Sequence, residues 1–299
     1  MGELIGLIGV GRLGQAIAEH LIAHGYDVIG YRRSSMAQFT RAGGRAAGSC
    51  AEVTQKADVV LECLPSVSAF ESAMQGPDGI ASRARRGQIF LSLSTYPLSV
   101  KKREAERIAA QGAMLLDCEI SGTPVMVRER SAVVFVSGDE AAARQVNPVL
   151  DAFAGKHMYL GAFGAASTMK LIANHLLAIH NLAAAEAMLL GARAGLDPQT
   201  VIEAIGPSAG SSTMFRARAP MMARRQYEPA PGPFSTLEKY LGLVRQLARE
   251  SKAPIPLFDT AAAFYDKALA QGRGEQDIAA IFDVLEQETT FHTNRSEPS

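Results

Sequence analysis

The stretch LIGLIGVGRLGQAIAEHL, residues 4–21, constrains the fold more than any other part of the chain. An apolar run breaks at Gly9, Gly11 and Gly14 and then resumes with helical spacing. This reads as a strand, a glycine turn and a helix, the setting in which G-x-G-x-x-G carries meaning. Gly9 permits a tight turn, Gly11 lets the backbone approach a pyrophosphate, and Gly14 lets helix and strand pack closely. The helix N-terminus adds N–H groups and positive potential, so Gly9, Val10, Gly11, Arg12, Leu13 and Gly14 are expected to hold a dinucleotide. A purely structural glycine turn is the competing explanation of the motif taken alone.

Short β-rich runs follow at 27–31, 58–64, 88–94, 113–120 and 132–138, alternating with amphipathic stretches. Such alternation predicts a parallel α/β sheet. Near Gly161 the pattern changes, and 165–194 reads as one long helix with apolar residues on most faces, buried on several sides within a helical domain or against a partner subunit. Further helices are expected at 198–206, 237–251 and 256–272, with the proline-rich 227–234 as a connector and a frayed polar tail at 292–299. The expectation is α/β, an N-terminal Rossmann-type domain over 1–163 with a parallel-rich sheet, followed by an all-α domain over 164–299. The active site is expected in the cleft between them.

The end of the second strand bears on the cofactor. An acid about 20 residues beyond the glycine turn would bind the adenosine ribose of NAD. Here Tyr31-Arg32-Arg33-Ser34 stands instead. Two guanidinium forks suit a 2′-phosphate, so NADP(H) is the preferred cofactor and NAD(H) a possible one. Lys plus Arg equals Asp plus Glu at 30 each, which leaves no net field to draw nucleic acid or an anionic membrane. Cys50, Cys63 and Cys118 form neither a disulfide framework nor a metal pattern, and the six histidines form no ligand set. No signal peptide or membrane span is read, so a cytoplasmic protein with a small-molecule substrate is expected.

Beyond the glycine turn the motifs resemble, in order, those of the β-hydroxyacid dehydrogenase family, which includes 3-hydroxyisobutyrate dehydrogenases, 2-hydroxy-3-oxopropionate reductases and, more distantly, 6-phosphogluconate dehydrogenases. Leu64-Pro65 and Ser94-Thr95-Tyr96-Pro97 look like its cofactor-side loops. Asp117-Cys-Glu-Ile-Ser-Gly-Thr-Pro124 is similar to its D-A-P-V-S-G-G substrate loop, with Thr123 in place of the second glycine. Gly161-Ala-Phe-Gly-Ala-Ala-Ser-Thr-Met-Lys170-Leu-Ile-Ala-Asn174 looks like its G-x-x-G-x-G-x-x-x-K-x-x-x-N, with Ala166 as the departure. Phe234 to Tyr240 resembles F-x-x-x-x-x-K-D, with Lys239 matching and Tyr240 replacing the acid.

The resemblance implies reversible hydride transfer between nicotinamide and a small 3-hydroxy acid or its semialdehyde or keto counterpart. Ser121, Gly122 and Thr123 would hold the substrate carboxylate. Lys170 would be the general acid and base, and Asn174, four residues on and therefore on the same helix face, would orient it. Leu64, Pro65, Thr95 and Lys239 would join the glycine turn and Arg32, Arg33 and Ser34 in binding the cofactor. The resemblance and the apolar helix together imply a homodimer or homotetramer. An NADPH-dependent imine reductase and a non-catalytic NADP-binding sensor or scaffold are the alternatives. Lys170 favours hydroxyacid chemistry over the first, and the joint presence of Ser121, Lys170 and Asn174 argues against the second.

Overall fold

The structure, a computed structural model, describes residues 2–293. The expected polar tail lies outside the described residues from 294 onward. The chain forms two compact units, Met1–Lys170 and Leu171–Ser299.

The first unit is built on eight strands: β1 (Leu4–Ile8), β2 (Asp27–Tyr31), β3 (Arg45–Ala46), β4 (Val59–Glu62), β5 (Ile89–Ser92), β6 (Met114–Ser121), β7 (Val133–Ser137) and β8 (Lys156–Tyr159). Between them lie α1 (Arg12–Ala23), α2 (Ala37–Arg41), α3 (Cys50–Lys56), α4 (Val67–Gln75), α5 (Leu98–Ala109), α6 (Pro124–Arg128), α7 (Glu140–Gln145) and α8 (Asn147–Phe153). Strand order across the sheet is β3-β2-β1-β4-β5-β6-β7-β8. The order reverses between β1 and β4, and ligands of open α/β sheets bind beyond the carboxyl ends of strands at such a point.

β4 and β5 are buried along their whole length, as continuous apolar strands covered on both faces should be. Separate apolar clusters fill the two sides of the sheet: one gathers Ile17, Leu61, Leu91 and Phe153, the other Ile8, Val60, Phe70 and Phe90. Pairing is parallel except between β6 and β7. Only residues 122–132 join those two strands. A parallel return needs a crossover of roughly a dozen residues or more, so the chain turns back antiparallel. The sequence reading missed β3 and β8, which are short or largely exposed and carry no apolar run.

The second unit is helical: α9 (Ala165–Arg193), which begins in the first unit, then α10 (Pro198–Ile205), α11 (Thr213–Arg224), α12 (Phe234–Ser251), α13 (Pro256–Ala270) and α14 (Ile281–Thr293), with a 3-10 turn at Ile278–Ala280. α9 is long and apolar enough to cross a membrane. Ala178, Leu182, Ala185 and Met188 nevertheless pack into the core of this unit beside Phe258, Tyr265 and Ile281. On its other side Ile172, Leu176 and Leu190 stay exposed. α11 was not anticipated, because Pro220 sits inside it and its mean hydropathy is low.

Candidate active site

The glycine turn follows from steric limits. Gly9 has φ +99°, and a Cβ there would lie 2.1 Å from the Cys63 carbonyl oxygen. A Cβ on Gly14 would lie 2.4 Å from the Gly9 carbonyl oxygen, so α1 can approach the turn only with glycine. Gly11 differs: a Cβ there meets nothing within 4 Å. It is the N-cap of α1 with no side-chain cap bond, so open space and helix N–H groups coincide beside its backbone. That combination fits a pyrophosphate. Val10 is buried and Leu13 packs on the core, so both can serve the turn only through backbone, while Arg12 is exposed.

Arg32 is tied to this turn: Nη1 donates to the Val10 carbonyl at 2.8 Å and Nε to Ser34 Oγ at 2.6 Å. Arg33 donates from Nη2 to Ser72 Oγ at 3.0 Å. Both arginines and Ser34 are exposed at the end of β2. Leu64 and Pro65 follow β4, and the Leu64 N–H donates to the carboxylate of Glu62 at 2.7 Å. The Tyr96 hydroxyl is 2.8 Å from the same Glu62 oxygen and 2.9 Å from the Leu64 carbonyl, bracing the 94–97 loop against the 63–65 loop. Burial raises the Glu62 pKa against the hydrogen bonds from Tyr96 and Ser92. Thr95 is buried, and its hydroxyl donates to Glu119 Oε2 at 2.5 Å.

Ser121 ends β6, and Gly122 and Thr123 lead into α6. The Thr123 oxygen accepts from the Met126 N–H at 3.3 Å and so caps this helix. At φ −97° Thr123 has no need of glycine, which explains how the departure from the family's second glycine is accommodated. Lys170 is only 9% exposed, and its Nζ donates to the Ile120 carbonyl at 2.8 Å, next to Ser121. The Ala166 N–H, at the family's third glycine, donates to Ser137 Oγ at 3.0 Å.

Asn174 is buried one turn farther along α9, on the stretch that belongs to the second unit. Lys239 is exposed on α12, its ammonium 5.0 Å from the centroid of the Tyr240 ring that replaces the family's acid. His175 stacks on Phe258 at 5.3 Å, and burial lowers its pKa. Among the described residues, no group of three His, Cys, Asp or Glu could hold a metal ion.

The sequence reading missed the buried partners beneath Ser121. Asp117 and Glu119 sit two apart on β6, hence on one face of the strand, and Lys101 on α5 meets both, at 2.8 and 2.7 Å. All three are fully buried. Burial acts to lower the Lys101 pKa, but the charges of Glu119 and Asp117 overcome it and raise the value. Burial likewise acts to raise that of Asp117, yet the Lys101 charge and hydrogen bonds from Lys101 and Ser167 leave it below the usual carboxylate value. Two acids in an otherwise apolar strand were the available signal.

Known proteins resemble the chain over nearly its whole length. Residues 4–161 match the family model described as the NAD binding domain of 6-phosphogluconate dehydrogenase, and 164–285 match that described as NAD-binding of NADP-dependent 3-hydroxyisobutyrate dehydrogenase. An L-threonate dehydrogenase of Cupriavidus necator is 34% identical over 288 residues, covering 95% of this chain and 97% of the relative. The crystal structure of a 3-hydroxyisobutyrate dehydrogenase from Salmonella typhimurium superposes with a TM-score of 0.83 at 29% identity, covering 94% of this chain and 99% of that one. Psf3 in complex with NADP+ and 2-OPP gives 0.84 at 25% identity, covering 94% and 99%. The chain, with its glycine turn, its Ser121-Gly122 loop and its buried Lys170, belongs to the β-hydroxyacid dehydrogenase family.

Proposed function

We propose that the protein is an NADP(H)-preferring dehydrogenase of a small 3-hydroxy acid, or equally a reductase of the matching semialdehyde or keto acid. The observation that carries this reading is the meeting of Lys170 Nζ with the carbonyl of Ile120, which sets a buried amine at the residue preceding Ser121-Gly122. In this assignment the Ser121 hydroxyl and the backbone N–H groups of the 121–123 loop bind the substrate carboxylate. Lys170 takes the hydroxyl proton in oxidation and returns it in reduction. Asn174, one turn on along the same helix face, orients the amine. The nicotinamide, when bound, supplies the hydride donor or acceptor.

Arg32 supports the NADP(H) preference. Two of its five N–H donors pin it to the glycine turn and to Ser34, so the fork is held in place for a 2′-phosphate, with Arg33 beside it. The exposed Ile172, Leu176 and Leu190 on α9 are assigned to a contact between copies of the chain in a dimer or tetramer. The three free cysteines accord with a cytoplasmic enzyme.

The test is steady-state kinetics on 3-hydroxyisobutyrate and L-threonate with NADP+ and NAD+ side by side, with a cyclic imine plus NADPH as the contrasting substrate. Turnover of a hydroxy acid with a higher kcat/KM for NADP+ is expected. Equal or better use of NAD+ would overturn the cofactor preference. Imine reduction without hydroxy acid oxidation would overturn the substrate class.

A further inference from the structure

The buried cluster below the Ser121 loop contains more ionic structure than a substrate loop needs. Asp117 receives four donors: Lys101 Nζ and Ser167 Oγ on Oδ1, at 2.8 and 2.7 Å, and Ser137 Oγ and the Ser167 N–H on Oδ2, at 3.0 and 2.9 Å. A carboxylate has about four acceptor positions, so this one is saturated and its rotamer fixed. Ser137 in turn accepts from the Ala166 N–H. Lys101 also holds Glu119, whose other oxygen accepts from Thr95. The first turn of α9 is thereby bolted to β6 through side chains that are almost wholly buried.

The register of this attachment matters. Asp117 binds Ser167, and Ile120 binds Lys170, so strand and helix each advance three residues between the two contacts. The contact at Asp117 is made by a short side chain and its own backbone N–H, and the contact at Ile120 by the tip of a long side chain. Ser167 is the short anchor and Lys170 the long reach, three residues apart on one helix face, so a shift of the anchor is carried along α9 toward Lys170.

We propose that Lys101 is a positioning residue for Lys170, acting through Asp117 and Ser167. The proposal rests on the assignment of Lys170 to proton transfer. Lys101 sets one ammonium between two carboxylates on one buried strand face. Without it the two carboxylates share that face with no ammonium between them, Asp117 loses one of the four donors that fix its rotamer, and its hold on Ser167 loosens. Stability alone is a weak reason for such a triad, since apolar residues of similar volume often serve as well. Precise support of a functional side chain is a stronger one.

The experiment compares Lys101→Met and Ser167→Ala, each alone and combined with Lys170→Ala, in the full-length protein. Two readouts are taken: NADP+-dependent turnover of 3-hydroxyisobutyrate and L-threonate with NADPH affinity measured alongside, and trace acetylation of Lys170 by peptide mass spectrometry, which needs no substrate. Each single variant is expected to lower kcat about tenfold while the NADPH Kd stays within about twofold, with no further loss on Lys170→Ala, because groups acting through one residue are non-additive. Acetylation of Lys170 is expected to rise severalfold in both. Ser167→Ala removes one hydroxyl, so it keeps the test decisive if Lys101→Met does not fold. Equal losses with and without Lys170, or unchanged acetylation, would overturn the positioning role. Full turnover in Lys170→Ala alone would instead overturn the proton-transfer assignment, and acetylation would still report whether Lys101 holds the amine.

Discussion

Gly11→Ala separates cofactor contact from fold. The φ of −85° at this position suits any L-residue, and a Cβ meets nothing within 4 Å. Alanine is a poorer N-cap than glycine by about 0.5–1 kcal/mol. It also restricts the unfolded chain, worth about 0.4–1 kcal/mol in the opposite sense. The two nearly cancel, so the apo melting temperature should move by less than about 2 °C. The added methyl does occupy the open space beside the α1 N-terminus, where the pyrophosphate is expected, and should weaken NADPH binding about tenfold or more, near 1.4 kcal/mol. Gly14→Ala is the contrasting change. Its Cβ would sit 2.4 Å from a backbone oxygen, so α1 must shift, and overpacking of this kind costs about 1–3 kcal/mol. Differential scanning fluorimetry of the apo protein and NADPH fluorescence titration measure both effects. Wild-type NADPH affinity in Gly11→Ala would refute the placement of the pyrophosphate, and an unchanged melting temperature in Gly14→Ala would refute the close approach of α1 to the turn.

Three further outcomes are expected. Thr123→Ala removes the α6 cap and should cost about 1 kcal/mol in urea unfolding, whereas Thr123→Gly, which restores the family's glycine, should cost only a few tenths. Asp117 has its folded pKa below its unfolded one, so its contribution is present above about pH 4 and is lost as pH falls through the folded value; Asp117→Asn should flatten the acid limb of stability against pH. Glu62 has the opposite shift and takes up its proton more readily when folded, so Glu62→Gln should steepen the same limb.

Much of the architecture was legible because its causes are local. Three glycines at fixed spacing, apolar strands between amphipathic segments, and a thirty-residue apolar stretch each dictate an element with little help from the rest of the chain. The order of the family motifs singled out Ser121, Lys170 and Asn174 as candidates, and the fold sets the Lys170 amine against the carbonyl that precedes Ser121. What stayed hidden depends on distant pairings. Lys101 lies in LSVKKREAERIA, which reads as a solvated helix, yet Lys101, Glu104 and Ile108 form its buried face. Nothing near Lys101 in sequence announces Asp117 and Glu119, which meet it only after α5 packs on β6. Glu119 stands at the proline of the D-A-P-V-S-G-G pattern; in the fold it is one of two carboxylates that share Lys101. Thr123 reads in sequence as a substrate contact, and only the fold adds that its oxygen also caps α6. The antiparallel β7 follows from a connection length, which an alternating pattern alone does not register.

The most direct test of the account is Lys170→Ala, with hydroxy acid turnover and NADPH affinity measured on the same preparation. A fall in kcat of about a hundredfold or more is predicted, the scale of losing a proton-transfer group, together with an NADPH Kd within about twofold of wild type. Near-wild-type turnover with intact cofactor binding would contradict the central claim that the buried amine beside Ser121 moves the proton.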